Sequence, residues 1–276
     1  MKYLSFTIPV SSPDESDQWV AMLSSAGFHG FEEGLKNLKA FIREDELEDA
    51  VKQLPLGFDI SKFEQQQIAE ENWNAQWESS FSPIEIPYPN ATNIFLRIRA
   101  AFHEALSIAD HEIIITPKMS FGTGHHATTF LVAQQMSILD FEDKSVLDFG
   151  TGTGVLAILA KKLGAANVTA IDNDKWSIEN ARENFEANSI TGIDLKMKEN
   201  LTDLGFFDTI LANINLHVIG ENLKDIVHHL KPNGNVLFSG ILLSDAAQIL
   251  PMITSEGFTV LKTENKDGWM MIHASK

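Results

Sequence analysis

The sequence contains no cysteine and no long apolar run, and each absence excludes a class of protein. Without cysteine there is no disulfide, no thiolate metal ligand and no cysteine nucleophile. No apolar run approaches the roughly 18–20 residues that a bilayer-spanning helix needs. Residues 1–6 alternate as in a strand and do not form the apolar core of a signal peptide. We therefore expect a cytoplasmic protein that makes no membrane contact.

Cationic side chains are also scarce. The sequence has 21 Lys and Arg but 38 Asp and Glu, and its formal net charge is −17. Such a chain repels nucleic-acid phosphates, and no Lys/Arg-rich run offers them a binding surface. Direct contact with nucleic acid is therefore not expected. An acidic surface attracts a basic partner, although the same charge is explained equally well as a source of solubility.

Three glycines at alternate positions occupy residues 150–154, directly after an apolar run. That run, 145–149, predicts a buried parallel strand, and residues 156–163 have helical periodicity. The next predicted strand ends at Asp172, whose carboxylate can accept both hydroxyls of a ribose. The order strand, glycine turn, helix, strand and acid predicts a site for an adenosine-type cofactor.

Asp148 helps to decide which adenosine cofactor the glycines receive. The dinucleotide fingerprint is G-x-G-x-x-G, with a pyrophosphate at the helix N-terminus, whereas the spacing here is G-x-G-x-G. A carboxylate at this strand end repels a pyrophosphate but attracts the ammonium of a methionine moiety, by roughly 1–4 kcal/mol near 4 Å. The spacing and the charge favour S-adenosylmethionine over a nicotinamide dinucleotide.

The periodicity of the chain predicts two domains and a linker. Residues 1–68 alternate as strand, helix, strand, strand, helix and strand, which is the ferredoxin-like α+β arrangement. Residues 69–90 are the predicted linker, a polar helix and then a proline-containing extended stretch. Three aromatic side chains on one face of that helix are expected to pack against a domain: Trp73, Trp77 and Phe81.

Residues 91–276 predict the larger domain, an α/β fold with a doubly wound parallel sheet. Strand and helix alternate from the strand predicted at 112–116 onward. The last two predicted strands, 258–264 and 268–273, are joined by a short loop with hairpin chemistry. A terminal antiparallel hairpin is typical of class I S-adenosylmethionine methyltransferases. Residues 148–154 resemble motif one of that class. This resemblance implies a Rossmann-like, seven-stranded sheet.

Three further segments resemble one methyltransferase family, PrmA. They are FGTGHHATT at 121–129, NWNAQWE at 72–78 and LANI at 211–214. The family methylates ribosomal protein L11 of the large subunit, and the resemblance covers nearly the whole chain. It implies S-adenosyl-L-methionine-dependent transfer to lysine side chains, the N-terminal α-amine or both. It also implies an N-terminal domain that recognises this basic ribosomal protein; a monomer is our own expectation.

The family's cofactor contacts, carried over position by position, fall on Thr129, Gly150, Asp172 and Asn213. Asp148 and Gly152 complete the expected cofactor site. The amide of Asn213 can both accept and donate hydrogen bonds, so it can hold the cofactor and orient an incoming amine. We therefore give Asn213 the catalytic role. Helix capping and turn formation are the alternative roles for Thr129 and Asn213.

The histidines near this site are interpreted conservatively. His126 aligns with the family histidine and is assigned to ordering its loop in preference to acting as a base. The adjacent pairs at 125–126 and 228–229 have no nearby carboxylate at ligand spacing, so no metal site is expected.

The chain departs from the family pattern at His125, Ala127, Thr151 and residues 215–217, around the expected mouth of the site. These departures leave the substrate open, so a methyltransferase for another protein or a small molecule is the first alternative. An NAD-dependent oxidoreductase and a methyltransferase fold that binds without turnover are the others.

Overall fold

The computed structural model describes residues 3–28, 30–34, 37–54, 60–68, 82–116 and 124–276. The chain divides into two compact units, Met1–Ser80 and Phe81–Lys276. The expected connector helix with Trp73, Trp77 and Phe81 lies outside the described residues, as do residues 121–123 of the FGTG segment. Within the described ranges, no helix has the length and apolar character needed to cross a membrane.

The first unit is a four-stranded antiparallel sheet with two helices. Its strands are β1 (Tyr3–Pro9), β2 (Gly30–Glu33), β3 (Asn37–Arg43) and β4 (Glu64–Ile68), and its helices are α1 (Pro13–Ser25) and α2 (Leu47–Gln53). The strand order is β2-β3-β1-β4. Alternate residues of β3, Leu38, Ala40 and Ile42, are fully buried because successive side chains of a strand point to opposite faces.

Local sequence sets the ends of two elements in this unit. Ser12 caps α1, accepting the Glu15 N–H at 3.2 Å, while the Glu15 carboxylate accepts the Ser11 N–H at 2.7 Å. The strand predicted over residues 58–67 begins only at Glu64. A 3₁₀ turn, Ile60–Lys62, precedes it, because the Ile60 side chain turns into the core.

The second unit is a mixed α/β fold around a central, mainly parallel sheet. Its strands are β5 (Ile84–Pro87), β6 (Ile94–Ala100), β7 (Ala109–Ile115), β8 (Ser145–Phe149), β9 (Asn167–Asp172), β10 (Ile193–Met197), β11 (Phe207–Asn213), β12 (Leu230–Leu242), β13 (Thr259–Lys266) and β14 (Trp269–Ser275). Its helices are α3 (Ala127–Met136), α4 (Val155–Lys162), α5 (Lys175–Ala187), α6 (Leu216–His229) and α7 (Ala246–Ser255).

The central sheet has the order β10-β9-β8-β11-β12-β14-β13. Strands β8 to β12 pair in parallel, while β14 pairs antiparallel with both β12 and β13. Asp267 and Gly268, both with positive φ, form the turn between β13 and β14. The direction of winding reverses between β8 and β11, which opens a crevice at the carboxyl ends of these strands.

Both faces of the central sheet are covered, as parallel sheets require. Val146 belongs to a core that includes residues of α3, α4 and α5. Its neighbour Leu147 belongs to a second core that includes residues of α6 and α7. Strand β8 is therefore buried on both faces, and its carboxyl end lies at the crevice.

Strands β5, β6 and β7 form a separate three-stranded sheet. The strand expected at 112–116 thus joins this sheet and not the doubly wound one. Strand β5 lies within residues 69–90, the predicted linker, yet it pairs with β6. The cause is tertiary packing, since Ile86 is fully buried in the core to which Val146 also belongs. The second unit accordingly begins before residue 91.

Candidate active site

A cavity of about 1200 Å³ lies at the carboxyl ends of β8, β9 and β11. Its walls bring together five of the six residues that the sequence predicts: Thr129, Gly150, Gly152, Asp172 and Asn213. The position is the one at which open α/β sheets bind ligands. The volume accommodates a nucleoside-sized ligand together with an entering side chain.

The glycine loop, residues 150–154, brings main chain directly to the cavity. Gly150 has φ +74°, and its N–H and that of Thr151 both donate to the Ile171 carbonyl at 2.9 Å. A Cβ on Gly150 would lie 2.2 Å from Cγ2 of Ile214. Left-handed backbone and the close approach of the Ile214 side chain together require glycine here.

Asp172 ends β9 and faces both the loop and the cavity. Its Oδ2 accepts the Gly152 N–H at 2.9 Å, and its Oδ1 accepts the Asp174 N–H at 3.0 Å. A carboxylate oxygen accepts more than one hydrogen bond. Asp172 therefore retains acceptor capacity for the two hydroxyls of a ribose.

Asn213, the last residue of β11, lies beside Thr129 in the cavity wall. Its Nδ2 donates to Thr129 Oγ1 at 3.3 Å. Its Oδ1 is buried and has no hydrogen-bond partner among the described residues. A buried acceptor without a partner costs about 1–3 kcal/mol, so this atom marks the place where a ligand donor fits.

Neither alternative role for these two residues is observed. His126, and not Thr129, caps α3, its Nδ1 accepting the Thr128 N–H at 3.4 Å. Asn215, and not Asn213, caps α6, its Oδ1 accepting the Val218 N–H at 3.0 Å. Thr129 and Asn213 instead line the cavity, and their side chains are hydrogen-bonded to each other.

Asp148 is the sixth predicted residue, and it does not line the cavity among the described residues. Neighbouring side chains of β8 point to opposite faces, so Phe149 lies in the cavity wall while Asp148 is 1% exposed beneath the loop. Its Oδ2 accepts the Thr151 hydroxyl at 2.6 Å and the Ala157 N–H at 3.2 Å. Asp148 therefore joins the glycine loop to the first turn of α4. The sequence predicts a direct contact between Asp148 and a ligand ammonium, whereas in the structure the carboxylate supports the loop.

Burial raises the pKa of Asp148 to about 7. The hydrogen bonds from Thr151 and Ala157 act in the opposite direction, and the nearby charge of Asp172 adds to the increase. A carboxyl group at the start of a helix is favoured by the helix dipole, but here desolvation has the larger effect.

Two tryptophans in the cavity wall were not identified from the sequence. Trp269 begins β14, and its ring lies 4.6 Å from that of His126, edge to face. Trp176, near the start of α5, is 75% exposed at the rim. Their positions in the sequence could have identified them, because Trp176 closely follows the acidic end of β9 and Trp269 follows the hairpin turn.

The cavity wall is strongly acidic. Lys198 is accompanied there by five carboxylates: Asp172, Asp174, Glu179, Glu199 and Glu221. A cleft lined mainly by one sign of charge concentrates ligands of the opposite sign. The mouth thus favours a cationic ligand.

The family model described as ribosomal protein L11 methyltransferase (PrmA) matches residues 16–276. The chain belongs to the PrmA family. It is therefore an S-adenosylmethionine-dependent methyltransferase, and the resemblance predicted from the motifs is confirmed.

Individual relatives agree with this assignment. The ribosomal protein L11 methyltransferase of Chlorobaculum parvum is 38% identical over 93% of this chain and 91% of its own. That of Bacteroides thetaiotaomicron is 33% identical over 99% of both chains. A crystal structure of the ribosomal protein L11 methylase from Lactobacillus delbrueckii subsp. bulgaricus is 28% identical with a TM-score of 0.59, and the match covers 68% of this chain and 97% of that one.

Proposed function

We propose that this chain transfers methyl groups from S-adenosylmethionine to amino groups of ribosomal protein L11. The acceptors are lysine side chains, the N-terminal α-amine or both. The observation that carries the proposal is the buried, unpartnered Oδ1 of Asn213, in one cavity with Gly150 and Asp172. An acceptor held there suits the N–H group of an incoming amine.

The residues of the cavity fit the cofactor that the family uses. When bound, S-adenosylmethionine supplies a methyl group on a positively charged sulfur. Asp172 would accept hydrogen bonds from the ribose hydroxyls, and the main chain at Gly150 and Gly152 would hold the methionine part. Thr129 holds the amide of Asn213. Asp148 acts on the cofactor indirectly, by holding the glycine loop in place.

The acceptor amine must be neutral, because an ammonium has no lone pair to attack with. The ordinary pKa of a lysine side chain is about 10.4, and a desolvated site beside a positive charge favours the neutral form. Asn213 orients that amine through its Oδ1. With the reacting atoms held in line, orientation accounts for most of what the protein must provide, and we assign no general base.

The charge of the molecule supports a basic protein as the substrate. The acidic cavity wall and the net charge of −17 both attract lysine-rich protein and repel nucleic acid. We infer a monomeric, cytoplasmic enzyme with two domains. The first unit, whose strand order is the ferredoxin-like one, recognises the ribosomal protein, and the second unit carries the chemistry.

Intact mass spectrometry of unmodified recombinant L11 tests the proposal. After incubation with the enzyme and S-adenosylmethionine, we expect mass gains in whole methylene steps, and no gain with Asp172→Ala. Calorimetry with S-adenosylhomocysteine verifies cofactor binding in the same preparation. Binding without any mass gain would exclude L11 as the substrate.

A further inference from the structure

Asn180 and Asn184 of helix α5 and its C-cap residue, Asn188, lie on one face at four-residue spacing. This face lies against the edge of β7. Asn188 Oδ1 accepts the Ile114 N–H at 2.9 Å, and its Nδ2 donates to the Ile114 carbonyl at 2.6 Å. An amide that both donates to and accepts from one residue replaces a neighbouring strand, so the helix closes the sheet edge.

Asn184 continues the same pattern but reaches further. Its Oδ1 accepts the Thr116 N–H at 2.7 Å, just beyond β7. Its Nδ2 donates to the Thr153 carbonyl at 2.8 Å and to Asn180 Oδ1 at 2.9 Å. Thr153 belongs to the glycine loop. One fully buried amide therefore connects the glycine loop to the end of β7.

The chain beyond β7 leads to the opposite wall of the cavity. After Thr116 it returns to the described residues at Gly124, directly before His126 and Thr129, which line the cavity. The Asn180 amide donates to the Thr116 carbonyl at 3.4 Å. Both backbone groups of Thr116 are thus held by the asparagines of α5, and Asn184 adds the bond to the glycine loop.

We propose that Asn184 is a positioning residue that couples the glycine loop to the end of β7. A ligand that fixes the loop therefore also fixes Thr116. This inference rests on the proposed function of the cavity.

Asn188 provides a matched control. It holds the same strand from the same helix, but its hydrogen bonds go to Ile114 and to the Asn184 carbonyl and not to the glycine loop. We expect Asn188→Ala and Asn184→Ala to lower the melting temperature by comparable amounts. Only Asn184→Ala should also raise the Kd for S-adenosylhomocysteine, by about tenfold, the size of effect seen for coupling residues.

Hydrogen exchange on the unaltered protein tests the coupling without any variant. We expect S-adenosylhomocysteine to slow exchange at residues 113–116 as well as in the glycine loop, and the same ligand to leave 113–116 unchanged in Asn184→Ala. Calorimetry on the unaltered protein tests the cofactor site separately. Equal Kd values for the two alanine variants would overturn the coupling, as would protection of the unaltered protein that stops at the glycine loop.

Discussion

The Gly152 N–H donates to Asp172 Oδ2 across 2.9 Å, which ties the glycine loop to the acidic end of the neighbouring strand. Asp172 also lies in the cavity wall. The same carboxylate therefore sets the shape of the loop and faces the ligand. A substitution at Asp172 removes two contributions at once, and a pair of variants is needed to separate them.

Asp172→Ala should weaken cofactor binding by at least 100-fold, because hydrogen bonds to a charged group contribute about 1.5–3 kcal/mol each. Asp172→Asn keeps one acceptor oxygen and should lose less. Calorimetry measures both. Asp194→Ala is the control, since Asp194 lies on β10, pairs with Lys196 and is not in the cavity wall. Binding by Asp172→Ala equal to that of the parent would refute the site.

Asn213→Ala should lower kcat by roughly 10–100-fold with a much smaller change in cofactor affinity, because Asn213 orients the acceptor amine. Thr129→Val removes the hydroxyl that the Asn213 amide contacts and should have part of the same effect. The double variant should be no worse than Asn213→Ala alone, since residues in one network are not additive. Strictly additive losses in kcat would show that the two side chains act independently.

The sequence predicts which residues line the cavity because most of them occupy recognisable positions, at the ends of predicted strands. Asp172 and Asn213 each end a predicted strand, and the carboxyl ends of parallel strands meet at one edge of the sheet. Glycine spacing identifies the loop between them for the same reason. The family motifs then supply Thr129, which lies far away in sequence but is hydrogen-bonded to Asn213.

The direction of Asp148 was not predictable in this way. Strand β8 is buried on both faces, so it has no alternation of polar and apolar residues from which to read the side that faces a ligand. The sheet of β5, β6 and β7 was missed for a related reason. A short apolar run predicts a strand, but it does not predict which strands pair with it. The pairing depends on packing with residues distant in sequence, as when Ile86 packs in the core.

His126 can be tested as a cap and as a base in one series. His126→Ala removes the cap of α3 and should lower the free energy of unfolding by about 1 kcal/mol, with a further loss from the ring contact to Trp269. His126→Asn restores a capping oxygen and should recover the first part. Chemical unfolding measures the difference. We expect the pH dependence of kcat to be the same in both variants and the parent. A 100-fold loss of kcat in a stable His126→Asn variant would indicate a base.

The buried carboxyl of Asp148 should make stability depend on pH. Its pKa is about 7 in the folded protein against an ordinary value of 3.8, so between these values the folded state binds more protons than the unfolded state. Its contribution to stability is therefore complete below pH 3.8 and is lost as the pH rises to about 7.

Asp148→Asn should remove this dependence. The amide oxygen of an asparagine, placed where Asp148 Oδ2 lies, can accept both the Thr151 hydroxyl and the Ala157 N–H, so the two contacts of Asp148 are retained. Urea unfolding of the variant and the parent from pH 4 to pH 8 should show the variant gaining relative stability, by on the order of 1 kcal/mol per pH unit up to about pH 7 and then levelling. A difference in stability that stays constant over this range would mean that Asp148 ionises normally despite its burial.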